Sequence, residues 1–308
     1  MRVAVVGVGG VGGYFGGRLA QAGVDLTFIA RGAHLHALRE GGLRVESIKG
    51  DFTLQPVQAS ADPTEVGPVD MVLVGVKGWQ VADAAAAMAP LLGPETGVVP
   101  LLNGVEAPAQ LAALLGEQHV LGGLCRISAF IAGPGHIRHS GIEPYVAFGE
   151  LNNRPSQRAE ALRDAFVAAG VSATIPADIR LAMWEKFLLI ACWSGVGAVT
   201  RVPVGVWRSL PATRSMADQA MREVLAVAQA HGVALSEENV RRSWGFFDSA
   251  QPGVMASMQR DIAEGRPSEL ESQNGALVRL AEAVGVDVPL HRFIYASLLP
   301  QERQARSK

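Results

Sequence analysis

Short runs of β-branched and aliphatic residues alternate with stretches of helical periodicity in the first half of the chain. This alternation is typical of a parallel sheet covered by helices. The strands predicted from it are residues 2–6, 25–29, 69–74 and 98–102, with 120–124 as a further candidate, and the helices include 11–22 and 107–115.

A differently punctuated segment follows at residues 126–150. Glycine and proline recur there, at Gly133, Pro134, Gly135, Gly141 and Pro144, between short β-prone pieces. Such punctuation predicts antiparallel strands, which we expect to extend the edge of the parallel sheet. An amphipathic helix over 156–169 and a last strand over 172–175 complete this part of the chain.

From residue 178 the strand patterns stop and long helical periodicities take over. Helices are predicted over 179–191, 211–231, 236–249 and 270–284. Pro211 and the Ser236–Asn239 spacing are typical of helix starts. The chain is therefore predicted to join an α/β domain over 1–177 to an all-α domain over 178–308. The polar, basic tail at 301–308 is expected to fray.

Composition and charge exclude several classes of protein. The 308 residues suffice for two domains. The 27 basic and 29 acidic side chains leave a net charge of -2, so the protein has no overall positive charge with which to bind a nucleic acid. The longest candidate for a membrane helix, 187–200, is shorter than the ~18 apolar residues required and contains Ser194 and two glycines. Cys125 and Cys192 have no metal-ligand or disulfide spacing, so we expect buried thiols and no metal site. A soluble, cytoplasmic protein is predicted.

The first predicted strand runs directly into a GxGxxG sequence that opens a helix. This is the context in which the motif binds a dinucleotide. Gly7 would permit the tight turn, Gly9 would let the backbone approach the pyrophosphate, and Gly12 would let helix and strand pack closely. The pyrophosphate would lie at the positive end of the helix. The residues expected to contact the cofactor are Gly7, Gly9, Gly10, Val11 and Gly12. The α/β domain is thus predicted to be Rossmann-like.

The end of the second predicted strand indicates which cofactor is bound. An NAD enzyme usually offers an acidic residue to the ribose 2'-hydroxyl at this point, whereas this chain has Ala30 and Arg31. A guanidinium pairs well with a 2'-phosphate. We therefore predict NADPH, the alternative being that Arg31 is only a solvated loop residue.

Several motifs in order make the chain similar to the ketopantoate reductases (2-dehydropantoate 2-reductases), along nearly its whole length. They are GVGGVGGYFGGRLA, ARGAHLHAL, VKGWQV, LLNGV, WEKF and SMQRDIAEGRPSELESQNG. The resemblance implies a Rossmann domain followed by a helical domain. It also implies reduction of 2-dehydropantoate to pantoate by NADPH, a step of pantothenate biosynthesis.

The resemblance places Lys77 and Asn103 near both cofactor and substrate, at the carboxyl ends of their strands. Lys77 ends a very apolar strand, where a lysine buried without a charged partner would be costly. A surface lysine is the alternative there. For Asn103, which precedes Gly104, the alternative is a turn residue whose amide caps the chain.

Lys186 lies in a strongly hydrophobic predicted helix with Trp184 and Phe187. Such a lysine either extends its charged end outward or is kept in a cleft for chemistry. Hydride addition to a ketone generates an alkoxide, and a partly desolvated lysine with a lowered pKa is a suitable proton donor. The resemblance assigns the general acid to this lysine.

The last motif adds three positions through the resemblance. Ser257 would bind the substrate carboxylate, and Glu269 would act with the lysine on the carbonyl or hydroxyl oxygen. For Asp261, an ion pair with a neighbouring arginine is an equal alternative. Gly265 and Pro267 must interrupt the helix between these residues, so their spacing fixes no common face.

The chain departs from the family at the substrate pocket. Asparagines are expected four and eight residues after the lysine and three before Ser257, but this chain has Ile190, Ser194 and Val254. We expect Ile190 and Ser194 to contact the substrate, in a pocket less polar than that of a ketopantoate enzyme. A reductase of a more apolar 2-keto acid is therefore a rival reading. A non-catalytic NADPH sensor and a dehydrogenase working in the oxidative direction also remain open.

Tryptophans give the helical region apolar faces, at Trp193, Trp207 and Trp244. A homodimer is a possible use for such faces. Besides a small-molecule 2-keto acid, we expect no nucleic-acid or membrane partner.

Overall fold

The computed structural model describes residues 1–307, and the last residue of the chain lies outside the described part. The chain divides into two compact units. Unit 1 comprises Met1–Leu102 and Ala107–Ile179, and unit 2 comprises Asn103–Glu106 and Arg180–Lys308. Unit 2 thus begins two residues later than the predicted domain boundary, and it includes a four-residue segment that the sequence patterns place in the first domain.

Unit 1 contains the strands of the protein. They are β1 (Arg2–Val6), β2 (Asp25–Ile29), β3 (Leu43–Ser47), β4 (Phe52–Leu54), β5 (Gln58–Ser60), β6 (Val69–Val74), β7 (Leu92–Pro100), β8 (Leu121–Arg126), β9 (Ala129–Gly133), β10 (His136–His139), β11 (Tyr145–Glu150) and β12 (Ser172–Thr174).

The helices begin in unit 1 and continue through unit 2. They are α1 (Gly10–Gln21), α2 (Gly32–Gly41), α3 (Val81–Met88), α4 (Ala107–Leu115), α5 (Gln157–Ala168), α6 (Ile179–Thr200), α7 (Val204–Trp207), α8 (Pro211–Ala230), α9 (Glu237–Ser249), α10 (Ser257–Ala263), α11 (Ala276–Val284) and α12 (Pro289–Arg306). A π-helical turn, Glu271–Gly275, leads directly into α11.

The largest sheet has five parallel strands in the order β5-β2-β1-β6-β7. Val3 on the central strand pairs with Leu26 on one side and Met71 on the other. Val5 and Phe28 on these strands are fully buried, because both faces of the sheet are covered. The predicted Rossmann-like α/β class is confirmed.

The remaining strands form two small sheets, so the prediction that they extend the parallel sheet is wrong. β9 and β10 join β3 and β4 in a four-stranded sheet, and β11 lies between β8 and β12 in a three-stranded one. A single bridge, Val98 to Val120, links the region before β8 to the large sheet. The pairing of β10 with β3 joins segments far apart in sequence, such as Ile137 with Val45, and no local pattern reports such a partner.

Two helix starts follow the sequence signals. Asn239 accepts a hydrogen bond from the backbone N–H of Ser236 at 2.9 Å, and Pro211 occupies the start of α8. Ser156 accepts one from the N–H of Ala159 at 3.3 Å before α5. These side chains satisfy N–H groups that have no partner within their helix.

Helix α6 is the central helix of unit 2. It runs without interruption past Ser194 and its two glycines, so it is longer than predicted and is long and apolar enough to cross a membrane. However, 61% of its most apolar window is buried, as in the core helix of a soluble protein. The glycines leave room for polar side chains, since a Cβ on Gly195 would lie 2.7 Å from Asn274 Nδ2.

The aromatic core of unit 2 contains side chains expected at its surface. Trp207 is fully buried against Phe247, with ring centroids 5.1 Å apart, and Trp193 is also buried. Trp244 is half-buried and packs against the same phenylalanine. Trp193 and Trp207 therefore belong to the core of unit 2, and the homodimer stays a prediction.

The carboxyl-terminal segment is helical up to Arg306, so the prediction of a frayed tail is wrong there. Glu302 and Ala305 are buried, and both lie on α12. The final residue, included in that prediction, lies outside the described part of the chain. Both cysteines are buried, as predicted.

Candidate active site

The glycine-rich loop connects β1 to α1 at the carboxyl edge of the parallel sheet. Strand order reverses between β1 and β6, since β2 and β5 extend the sheet on one side and β7 on the other. Parallel α/β sheets bind ligands at such a switch point. The N–H of Gly75, just after β6, donates to the carbonyl of Val6 at 2.8 Å, which ties the two strand ends together.

Two glycines of the loop are required by the fold itself. Gly7 has a φ of +92°, and a Cβ there would lie 2.6 Å from Val76 Cγ1. A Cβ on Gly12 would lie 2.1 Å from the carbonyl oxygen of Gly7. The positive φ favours glycine at the first position, and close approach of the helix to the strand requires it at the second.

Gly9 differs, because a Cβ at this position would collide with no protein atom. A Cβ there would meet nothing closer than the Gly75 carbonyl oxygen at 3.9 Å. Open space beside a backbone at the amino end of a twelve-residue helix fits a pyrophosphate that approaches closely. The next two motif residues have packing roles as well: a Cβ on Gly10 would lie 2.1 Å from the Ala129 carbonyl oxygen, and Val11 packs against the core.

Arg31 lies just beyond β2, in the residue before α2, and its side chain is exposed. It occupies the position predicted for contact with the adenosine ribose. Lys77 follows β6 and is exposed, so it is not the buried lysine that the apolar strand suggested. Its Nζ lies 6.0 Å from the ring centroid of Trp79.

His34 is a residue near the loop that the sequence motifs do not single out. Its Nδ1 accepts a hydrogen bond from the N–H of Gly135 at 3.1 Å. Burial lowers the pKa of His34, while a backbone interaction with Val8 in the glycine-rich loop acts in the opposite direction. His34 is therefore hydrogen-bonded to the turn between β9 and β10. The segment ARGAHLHAL contains two histidines, and its pattern gives no reason to choose between them.

Lys186 lies in the amino-terminal half of α6 and is half-buried. Its neighbours Trp184 and Phe187 are 5% and 1% exposed. Both neighbours belong to the hydrophobic core of unit 2.

Glu269 lies in unit 2 and is only 6% exposed. Its Oε2 accepts a hydrogen bond from Nδ2 of Asn103 at 2.7 Å, although 166 residues separate them in sequence. The structure thus pairs a residue predicted for cofactor contact with one predicted for catalysis. No local sequence signal indicates that these two residues lie close together.

An ion-pair network holds the segment that carries Asn103. Arg279 on α11 donates to both carboxylate oxygens of Glu106, at 2.7 and 3.3 Å, and to Glu271 Oε2 at 3.2 Å. The hydrogen bond to Glu106 is the main cause of a raised pKa of Arg279. Tyr295 donates to Glu271 Oε1 at 2.8 Å. Sequence analysis missed this network because its members are dispersed along the chain.

The remaining predicted substrate residues lie in different parts of unit 2. Ser257 is the first residue of α10 and is exposed, and Val254 is 36% exposed in the loop before it. On α6, four and eight residues after the lysine, Ile190 is half-buried and Ser194 is buried. This spacing puts Lys186, Ile190 and Ser194 along one side of the helix.

For Asp261 the structure shows the non-catalytic alternative. Its Oδ1 accepts from Nη2 of Arg266 at 2.8 Å. Helix α10 ends before Gly265, whose φ is +66°. The predicted interruption of the helix is therefore present.

Asn274 connects the π-helical turn to α6. Its Nδ2 donates to the carbonyl of Ala191 at 3.3 Å, and its Oδ1 is buried without a partner in the described structure. Single π turns within helices are frequent at functional sites. The turn begins two residues after Glu269, so the glutamate lies close in sequence to a turn that is hydrogen-bonded to the lysine-bearing helix.

The Rossmann-like fold, its glycine-rich loop and the residues around Glu269 together define a nicotinamide-dependent oxidoreductase. Residues 3–153 match the model of the ketopantoate reductase PanE/ApbA family, and residues 178–302 match the model of its carboxyl-terminal domain. The chain belongs to the ketopantoate reductase family, which confirms the resemblance and the enzyme class predicted from the sequence.

Relatives cover the whole chain. An uncharacterized oxidoreductase of Bacillus subtilis (strain 168), YkpB, is 32% identical over 99% of this chain and 100% of that protein. A 2-dehydropantoate 2-reductase of Nostoc sp. is 29% identical over 96% of this chain and 94% of that enzyme. The crystal structure of a PanE/ApbA family ketopantoate reductase from Ralstonia eutropha JMP134 has 34% identity and a TM-score of 0.90, covering 99% and 100% of the two chains. A ketopantoate reductase-like activity follows, while the roles of individual residues stay predictions.

Proposed function

We propose that this protein is a cytoplasmic, NADPH-dependent reductase of a 2-keto acid and that it converts 2-dehydropantoate to pantoate in pantothenate biosynthesis. The main structural support is the hydrogen bond between the buried Glu269 and the half-buried Asn103, in the same unit as the half-buried Lys186. The names of relatives such as the Nostoc enzyme support the substrate.

Each protein group has a distinct task in this proposal. Bound NADPH would supply a hydride to the carbonyl carbon of the substrate. Lys186 gives a proton to the carbonyl oxygen as negative charge develops on it. Glu269 accepts a hydrogen bond from the product hydroxyl, and the Asn103 amide keeps its carboxylate in a fixed orientation.

The cofactor is assigned from the loop and the end of β2. Gly9 leaves open space for the pyrophosphate, and Arg31 offers an exposed guanidinium at the position of the ribose 2'-phosphate. A guanidinium matches a phosphate with two parallel hydrogen bonds. These features favour NADPH over NADH.

A second candidate substrate is supported by the residues after Lys186. Ile190 and Ser194 replace the expected amides, and Val254 replaces a third. The aliphatic side chains of Ile190 and Val254 offer no hydrogen bonds to the hydroxyl of ketopantoate, and Ser194 retains a single hydroxyl in place of an amide. A 2-keto acid with a branched apolar side chain is therefore the rival substrate.

Steady-state kinetics with NADPH and two substrates separate these candidates. The ratio of kcat/KM for ketopantoate to that for 2-ketoisovalerate measures how strongly the pocket uses the substrate hydroxyl. A ratio of 100 or more, on the order of the ~3 kcal/mol that hydroxyl recognition supplies, supports ketopantoate. A ratio near or below one supports the apolar rival.

Substitution of the lysine separates an enzyme from an NADPH sensor. Lys186→Ala should lower kcat by about 10²–10⁴-fold, the usual contribution of a general acid, while the Kd for NADPH stays within about twofold. Lys49→Ala is the matched control, because that lysine forms a surface ion pair with Glu143. Unchanged turnover in Lys186→Ala would overturn the assignment of the proton donor.

A further inference from the structure

Ser268, the residue directly before Glu269, is completely buried and held by a carboxylate from α12. Its N–H donates to both oxygens of Glu302, at 3.1 and 3.0 Å. Its hydroxyl donates to Glu302 Oε2 at 2.5 Å. The glutamate is 2% exposed, so an ionisable side chain has been buried in order to make these contacts.

Arg306, one helical turn further along α12, completes the contact. Its Nε lies 2.6 Å from Glu302 Oε1, and its Nη2 donates to the carbonyl of Ser268 at 3.0 Å. The backbone N–H, the backbone carbonyl and the hydroxyl of one serine are thus all bonded to two side chains of a single helix. Charge-assisted hydrogen bonds of this kind are short and directional.

The same serine also makes a local hydrogen bond that spans Glu269. Its hydroxyl oxygen accepts a hydrogen bond from the N–H of Leu270 at 3.3 Å, and Leu270 immediately precedes the π-helical turn. Because the Ser268 hydroxyl donates its proton to Glu302, the lone pairs of the hydroxyl oxygen remain available to the N–H of Leu270. The backbone conformation at Glu269, and with it the direction of the Glu269 side chain, is therefore coupled to Glu302.

We propose that Glu302 is a positioning residue, which acts through Ser268 to fix the Glu269 carboxylate in the orientation that also meets Asn103. This inference rests on the proposed function, in which Glu269 contacts the substrate. A displacement of about 1 Å at such a group can cost on the order of 10²-fold in rate. Loss of the Glu302 charge should consequently reach the chemistry without changing the reacting residues.

The test compares two buried glutamates that hold opposite ends of α12. Glu302→Gln keeps the shape of the side chain and removes its charge, and we expect kcat to fall about tenfold while the Kd for NADPH stays within about twofold. Glu223→Gln is the matched control, because Glu223 accepts from the N–H groups of Leu290 and His291 at the start of the same helix. It should lower the Tm to a similar extent but leave kcat within about twofold.

A double-mutant cycle shows whether the effect passes through Glu269. If Glu302 acts by orienting that carboxylate, its removal should have little further effect in a Glu269→Gln background. The combined loss in kcat should then equal that of Glu269→Gln alone. Losses that multiply would overturn the proposal, and so would a kcat of Glu302→Gln within twofold of the wild type.

Substitutions at the serine provide a second route if Glu302→Gln does not fold. Ser268→Ala removes the hydroxyl between Glu302 and Leu270, and we expect it to lower kcat about tenfold. Ser268→Thr retains the hydroxyl and should stay within about threefold of the wild-type kcat. Equal kcat values for the two variants would refute the coupling. A wild-type protein that reduces no 2-keto acid would instead refute the proposed function, and this inference with it.

Discussion

Single glycines of one loop illustrate how far residue roles could be predicted from the sequence. The GxGxxG context predicts a turn at Gly7 and close packing at Gly12, and both requirements are visible as a positive φ and a 2.1 Å approach. The hydrogen bond between Asn103 and Glu269 could not be predicted, because 166 residues separate the two. Motifs identify residue types, whereas contacts between distant segments depend on the complete fold.

A first prediction concerns Gly9, which has open space where a side chain would lie. Gly9→Ala should leave the Tm of the cofactor-free protein within about 1 °C of the wild type, since no protein atom is displaced. It should weaken NADPH binding at least tenfold, about 1.4 kcal/mol, because the methyl group would occupy the approach of the pyrophosphate. Titration of NADPH fluorescence measures this Kd.

Gly12→Ala is the control for that experiment. A Cβ at this position would collide with the backbone of Gly7, so the Tm of the cofactor-free protein should fall. Equal NADPH affinity in Gly9→Ala and wild type would mean that the cofactor does not approach this part of the loop.

A second prediction concerns Arg31, which is exposed just beyond β2. Arg31→Ala should raise the KM for NADPH about tenfold or more, since a hydrogen bond to a charged group contributes ~1.5–3 kcal/mol. The KM for NADH, which lacks the 2'-phosphate, should change less than about twofold. An equal rise for both cofactors would exclude recognition of the phosphate.

At the scale of elements, helix α12 shows why the carboxyl-terminal prediction failed. Its buried positions, such as Leu298, Glu302 and Ala305, recur at three- and four-residue spacing. Because a charged residue occurs within this series, the sequence pattern does not show a continuous apolar stripe. Besides Arg306 on the same helix, the buried glutamate is bonded to Ser268, 34 positions earlier, and no local pattern indicates that partner. Helix starts marked by Ser156 and Ser236, in contrast, could be predicted because capping is local.

A third prediction concerns the pH dependence of the contact at the other end of α12. Burial opposes ionisation of Glu223, but hydrogen bonds from His291, both side chain and backbone, and from the N–H of Leu290 outweigh it and lower the pKa of Glu223. A lowered pKa means that the stabilisation is present above the ordinary glutamate value of about 4.3 and is lost as the pH falls below it.

Urea unfolding of wild type and Glu223→Gln measures that contribution. At pH 7 the variant should be less stable by ~1–3 kcal/mol, the range for hydrogen bonds to a charged group. At pH 3.5 this difference should be smaller. Glu143→Gln, which alters an exposed surface ion pair, should show almost no difference at either pH. A gap that is equal at both pH values would contradict the assignment.

At the scale of the whole molecule, the two units differ in how well the sequence describes them. The parallel sheet of unit 1 follows from consecutive β-rich runs, whereas the four-stranded sheet depends on β10 pairing with β3 across the chain. Unit 2 follows from helical periodicity, apart from the segment Asn103–Glu106, which is separated from it in sequence by Ala107–Ile179 of unit 1. Ionic contacts such as Arg279 with Glu106 attach that segment.

A fourth prediction is that cofactor binding stabilises the protein by an amount that grows with the logarithm of the affinity. A ligand at about 100 times its Kd adds ~2.7 kcal/mol to the free energy of unfolding of the unit that binds it. NADPH should therefore raise the Tm of the first unfolding transition by several degrees, and NADH at the same concentration should raise it less. A larger shift with NADH would contradict the choice of cofactor.

The π-helical turn at Glu271–Gly275 has a consequence for the alignment of side chains. The turn leads into α11, whose buried residues face the core of unit 2, whereas Glu269 precedes the turn in a non-helical segment and meets Asn103. Deletion of a single residue from this turn would rotate the segment before it by about 100° relative to α11. The core residues and the carboxylate could then no longer both be directed correctly, although every side chain of the site would still be present.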